Sequence, residues 1–326
     1  MLKGNERMIA RLAGAAGAMA LALGLVAQPA AAQTPTKLTY FTGPTGGSWI
    51  PIGGALKVIW EKAIPGLSIE NRPGAGLVNL KAIEEGKAEI GMGNLITTVD
   101  ALAGRGTGIT RPFTNNCHFA SLYPNVAHFV IRSDLGINAI SDLKGKAVGT
   151  LPRGNTTNDV AEWILDAAGV GLKGVGKMAL SSLSDQANMF KDGQIVASFL
   201  ITTEGNGSIK DMANSRTIGL LDIPDDIFAK LKANNVGFQR HTIAKSVYPG
   251  PGKDNLTVAF PAHVVVSCKL PDDLVYNMAK ATAEALPDLA HVNSSFKGKT
   301  VKDLAAHVDV KWHPGALKYF KEQGAL

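Results

Sequence analysis

Cysteine is nearly missing: the 326 residues hold two, Cys117 and Cys268. Two thiols far apart, without matching pairs of histidines, exclude a zinc-finger-like cage and a multi-bridge scaffold. Clustered charge is missing too. The chain carries 33 Lys and Arg against 27 Asp and Glu, a net charge of +6. No five basic residues run together and no basic stretch alternates with aromatics, so a nucleic-acid partner has no basis here. Catalytic signatures are absent: there is no H-E-x-x-H, no G-x-S-x-G and no Walker pattern. Gly169-Val170-Gly171-Leu172-Lys173-Gly174 formally fits G-x-G-x-x-G, but it follows a helical pattern rather than a strand and reads as a helix stop. His118, His128, His241, His263, His291, His307 and His313 are dispersed, and each reads more simply as structural than as a ligand. We therefore expect no metal, no cofactor and no enzymatic chemistry.

Long apolar runs are lacking except at the start. Leu12 to Val26 is apolar, preceded by Lys3, Arg7 and Arg11 and followed by Ala30-Ala31-Ala32. That order is basic region, apolar region and A-x-A site, and the run falls short of the ~20 residues a membrane span needs. Residues 1–32 are expected to be a secretory signal peptide, with Gln33 starting a periplasmic protein.

Glycine is plentiful, at 36 residues, and its placement carries the information. Tyr40 to Pro51 reads as a strand, a glycine-rich loop and a helix start. A helix start exposes unpaired N–H groups and the positive end of the macrodipole, and glycine lets an anion approach them. The ligand candidates here are Thr42, Gly43, Thr45, Gly46, Gly47, Ser48 and Trp49. A second loop of the same kind follows a strand ending at Leu151, with candidates Arg153, Gly154, Asn155, Thr156 and Thr157. Arg153 is the sharpest of these, since a guanidinium can grip a carboxylate bidentately. Gly76, Asn79, Asn94, Thr202 and Thr203 sit in or beside other turns at strand ends. The plain alternative for each loop is an ordinary capped helix start, and for Arg153 a solvated surface side chain.

Strands alternate with amphipathic helices along the chain, which implies an α/β fold with mostly parallel sheets. Two extended stretches, Phe119 to Arg132 and Thr257 to Ser267, are each broken by a proline, Pro124 and Pro261. They look like two crossovers of a hinge. Lobe 1 would run over 33–124, lobe 2 over 125–261, and 262–326 would return to lobe 1.

In order along the chain stand Thr42-Gly43-x-x-Gly46-Gly47-x-Trp49-x-Pro51-x-Gly53, Gly76-x-x-Asn79-Leu80, Glu85-Gly86-Lys87-Ala88-Glu89-Ile90-Gly91, Asp142-Leu143-Lys144-Gly145-Lys146, Asp192-Gly193-Gln194-Ile195 and His313-Pro314-Gly315-Ala316-x-x-Tyr319-x-x-Glu322. With these motifs the chain resembles the TAXI family of extracytoplasmic solute receptors, which serve TRAP-type secondary transporters. The resemblance implies a two-lobed periplasmic-binding-protein fold of type II, a small carboxylate ligand, TRAP membrane subunits as partners and a monomeric receptor. The chain departs from the family pattern at Trp49-Ile50, at Gly76-Leu77 and at Arg153-Gly154-Asn155-Thr156, all in expected ligand loops. Rival readings are a receptor for another uptake or sensing system and a periplasmic enzyme on the same fold.

The cysteines add a geometric expectation. Cys117 lies seven residues before Pro124 and Cys268 seven after Pro261. If the crossovers run antiparallel with the prolines opposed, the two thiols meet and can form a disulfide.

Overall fold

The computed structural model describes residues 36–326 apart from 107 and 307–309. The expected signal peptide and His307 lie outside the described residues. Among the described residues there are ten strands: β1 (Thr36–Phe41), β2 (Leu67–Arg72), β3 (Ile90–Asn94), β4 (Asn116–Arg132), β5 (Ala147–Thr150), β6 (Lys177–Leu180), β7 (Ala197–Thr202), β8 (Ile218–Leu220), β9 (Gln239–Ile243) and β10 (Asn255–Ser267).

Two strands are unusually long, β4 with 17 residues and β10 with 13. At about 3.3 Å per residue β4 reaches roughly 55 Å, more than one lobe needs. Each therefore serves both halves of the molecule. They pair antiparallel along their length, and Pro261 stands opposite Pro124. Proline has no N–H to give a ladder. Both crossovers are thus weakened at one level, where the chain passes from one half to the other.

The strand order is β2-β1-β3-β10-β4-β7-β5-β6, with β8 on β4 and β9 on β10. On one side of the prolines β1 pairs in parallel with β2 and β3; on the other, β5 pairs in parallel with β6 and β7. Each half has its own core. Tyr40, Leu56, Trp60, Phe119 and Phe320 fill lobe 1. Phe129, Phe199, Phe238 and Phe260 fill one face of lobe 2, and Phe190, Leu200 and Met212 the other.

The carboxyl-terminal motif closes lobe 1. Pro314 opens the helix Pro314–Glu322, and the His313 ring accepts a hydrogen bond from Gly315 N–H. A Cβ on Gly315 would lie 2.1 Å from the Asp272 carbonyl oxygen, so glycine permits the close crossing onto the helix Asp272–Glu284. That helix in turn receives the Trp60 indole N–H on Thr282 Oγ1, at 2.9 Å.

Cys117 and Cys268 form a disulfide with Cα atoms 5.1 Å apart. Equal spacing from the prolines would set them face to face. Instead Cys117 pairs with Val266, because the ladder shifts between Ala262 and His263 and again between Val264 and Val265. The bridge is made diagonally, and the Cys268 N–H donates to the Asn115 carbonyl.

Candidate functional site

The helices that follow β1, β2, β3 and β5, together with the helix preceding β7, start on one cleft between the lobes, the usual ligand position of open α/β sheets. They are Trp49–Ala63, Gly76–Glu84 and Leu95–Leu102 from lobe 1, and Thr156–Ala167 and Leu183–Lys191 from lobe 2. Residues at each of these five N-termini line a small cavity: Ser48 and Trp49, Gly76, Asn94, Asn155 and Thr157, and Leu183. Pro44, Gly47, Asn125, Leu151, Ile201 and Thr202 complete the lining. The cavity measures about 30 Å³, room for little more than a water molecule or two. Among the described residues no charged side chain lines it.

The caps differ between the lobes. In lobe 2, Asn155 accepts from Thr157 N–H and Ser182 from Asp185 N–H. In lobe 1 none of the three N-cap side chains, at Ser48, Ala75 and Asn94, caps its helix. Those first-turn N–H groups are left for another acceptor.

Gly47, Ser48, Trp49, Gly76, Asn94, Asn155, Thr157 and Thr202 of the expected set come together at the cavity. Others do different work. Asn79 is fully buried and saturated: its Oδ1 accepts from Ala75 N–H, and its Nδ2 donates to the carbonyls of Phe41, Thr42 and Met92. It staples three chain segments and has nothing left for a ligand. Thr42 donates to the Arg72 carbonyl, and Gly43 is packed where a Cβ would overlap that of Trp49. Thr45 is exposed. Gly154 lies against Val78 of the opposite lobe.

Arg153 is exposed and absent from the lining, so the structure does not give it the carboxylate-gripping place expected of it. We expect Arg153→Ala to change ligand affinity by no more than about twofold, the effect of an ordinary surface substitution, as titration calorimetry would measure.

The remaining hydroxyls hold the lobes together. Ser48 Oγ lies 2.9 Å from Thr202 Oγ1 and 2.8 Å from Thr203 Oγ1. Thr97 Oγ1 and Thr156 Oγ1 are 2.7 Å apart. Asn206 donates to the Gly46 carbonyl and Asn293 to Thr203. The glycines permit this approach: a Cβ on Gly76 would sit 2.3 Å from Thr156 Oγ1, and one on Gly46 2.6 Å from Ser184 Oγ. Sequence reading missed Thr97, Asn125, Leu183 and Ile201. Of these only Asn125, beside the hinge proline, carried a signal that could have found it.

Two chains of buried hydrogen bonds support the cleft. Thr98 donates to the Asn94 carbonyl and faces His263 Nε2 at 2.8 Å. The His263 Nε2–H is therefore the donor to Thr98, and Nδ1 accepts from His118 Nδ1–H at 2.9 Å. Thus two histidines that look dispersed in sequence are partners. In lobe 2, His128 Nδ1–H donates to the Val126 carbonyl, leaving Nε2 to accept from Tyr248. The Tyr248 oxygen accepts from Gly205 N–H, fixing the loop that carries Thr203 and Asn206.

Burial keeps both imidazoles neutral, lowering His263 to about 3 and His128 to about 4. The unfolded chain takes up these protons below about pH 6.5, whereas the folded chain refuses them, so acid favours unfolding. Each imidazole should cost about 1.4 kcal/mol per pH unit as the pH falls from about 6.5 toward its folded value. Asp159, raised to about 6 by burial and by Glu162, acts in the opposite direction below pH 6. Two groups outweigh one. Urea denaturation should show stability falling between pH 7 and 5, and a flat or rising profile would contradict neutral burial.

No group of three His, Cys, Asp or Glu among the described residues is placed to hold a metal ion. No helix among them is long and apolar enough to cross a membrane.

Two lobes on two shared strands, with the cleft at the carboxyl ends of the parallel strands, make this a type II periplasmic-binding-protein fold. Solved structures agree. PhnD1 from Prochlorococcus marinus, in complex with methylphosphonate, superposes with a TM-score of 0.56 at 12% identity, covering 90% of this chain and all of that one. The periplasmic binding protein BugD gives 0.56 at 10% identity, over 89% and 94% of the two chains. MatC from Rhodopseudomonas palustris, with bound malate, gives 0.54 at 14% identity, over 80% and 89%. At such identities the likeness speaks for the fold alone. Residues 41–324 match the model of the NMT1-like family, and the chain belongs to that family.

Proposed function

We propose that this protein is a periplasmic receptor that closes its lobes on a small organic anion and delivers it to a membrane transporter, with no chemistry on the ligand. One observation carries the reading: five helix N-termini meet on a cavity with no charged lining, and the three from lobe 1 have no side-chain cap. Each N-terminus bears about half a positive charge, so together they favour an anion without a basic residue. A carboxylate suits them, in place of the arginine clamp expected from Arg153.

The partner in this reading is a TRAP-type membrane pair. Its support is the ordered set of TAXI-like motifs, above all His313 to Glu322. Uptake by proteoliposomes that hold TRAP subunits, driven by an ion gradient without ATP, is the expected result; uptake only with an ATP-driven importer would reassign the partner.

The ligand test is thermal denaturation of the purified protein with carboxylates, phosphonates, sulfonates and neutral sugars. A ligand at a hundred times its Kd stabilises the folded form by about 2.7 kcal/mol. Stabilisation by an anion is expected. Stabilisation by neutral solutes alone would overturn the anion reading.

A further inference from the structure

Asn125 follows the hinge proline Pro124 on β4 and lines the cavity, at 2% exposure. Its Nδ2 donates to Asn94 Oδ1 at 2.8 Å, while its Oδ1 has no hydrogen-bond partner among the described residues. A buried carbonyl oxygen left unpaired is costly, and native structures rarely tolerate one without reason. Turning both amides together would exchange their roles and still leave one carbonyl oxygen of the pair on the cavity. Either way the site asks its occupant for a donor. The helix N-termini ask the same occupant for an acceptor bearing negative charge.

From this juxtaposition we infer that the ligand is a short carboxylate with a hydrogen-bond donor beside the carboxyl group, a 2-hydroxy or 2-amino acid, and that Asn125 reads the donor. The inference rests on the anion reading above and narrows it. The closed cavity holds no more than a water molecule or two, so the lobes must part to admit any of these acids. The acceptor also sits on a crossover strand, so the ligand is read at the element that bends.

The test is a matched series on two skeletons, lactate, alanine, propionate and pyruvate on three carbons and malate, aspartate and succinate on four, each titrated calorimetrically into the wild-type protein. Lactate and malate, or alanine and aspartate, should bind at least about tenfold tighter than the members that lack a donor, because those leave the buried oxygen unpaired. Equal affinity for propionate or pyruvate overturns the inference and leaves the anion reading standing. No binding by any member, with binding of a neutral sugar, removes both.

Asn125→Leu should erase the preference for donors. Asn125→Asp keeps an oxygen acceptor in the same shape and serves if the leucine variant does not fold. The added negative charge should weaken hydroxy acids more than amino acids, whose ammonium group it attracts. A preference for donors that survives Asn125→Leu in a folded protein would place the reader elsewhere and overturn the assignment to Asn125.

Discussion

Gly76→Val should lower ligand affinity by about 100-fold while leaving the folded protein intact. Gly76 is the first residue of the helix Gly76–Glu84, and its φ is not positive, so a side chain costs nothing in backbone strain. Within its own lobe the nearest atom to a Cβ is Asn94 Nδ2, at an ordinary 3.6 Å. Across the cleft it would stand 2.3 Å from Thr156 Oγ1. That hydroxyl is itself tied to Thr97, so it cannot swing aside without losing its partner. The clash exists only when the lobes are closed. Overpacking of this kind costs about 1–3 kcal/mol, and the upper end corresponds to roughly two decades of affinity. A ligand that binds the closed form must supply that energy itself. Calorimetry should show the loss, and small-angle scattering should show a variant that stays extended at ligand concentrations that close the wild type. Wild-type affinity in Gly76→Val would mean that closure does not bring Gly76 and Thr156 together. Gly76→Ala should follow with a smaller effect.

The same position shows what could be read from sequence and what could not. Gly76 stands in a Gly-x-x-Asn turn that signals a helix start, and the glycine loops at 43–47 and 149–157 announced two further N-termini. Those signals are local, since they depend on which residues follow a strand. Asn79 stood in the same motif, and its role depends on Phe41, Thr42 and Met92, which only the assembled sheet brings to it. Arg153 was attractive because of its charge, but position in the loop turns it outward. The pairing of His118 with His263 was hidden by the two register shifts between β4 and β10, which no periodicity reveals. The hinge was legible for a physical reason. A proline inside a long extended run has to sit where a ladder bond is dispensable, and two such prolines mark two crossings.

Removing the disulfide should give the largest loss of stability. Cys117 and Cys268 are 151 residues apart, and the bridge encloses all of lobe 2. Closing so long a loop restricts the unfolded chain strongly, and loss of a native bridge costs about 2–5 kcal/mol. At roughly 2–4 °C per kcal/mol for a chain of this size, the double variant Cys117→Ala/Cys268→Ala should melt about 10 °C lower. Cys117 is fully buried in the lobe 1 core, so the alanine there adds a small cavity cost to the same total. Ligand affinity should hardly change. The bridge joins β4 to the residue just after β10, seven residues from either hinge proline, inside lobe 1, and restrains neither the cleft nor the bend. Stability and binding should therefore separate in this variant, as they do in the opposite sense in Gly76→Val. A variant that melts with the wild type would mean that the thiols are unbonded in the folded protein. One that loses affinity along with stability would mean that the lobe 1 ends of the crossovers move during closure, which would extend the hinge well beyond Pro124 and Pro261.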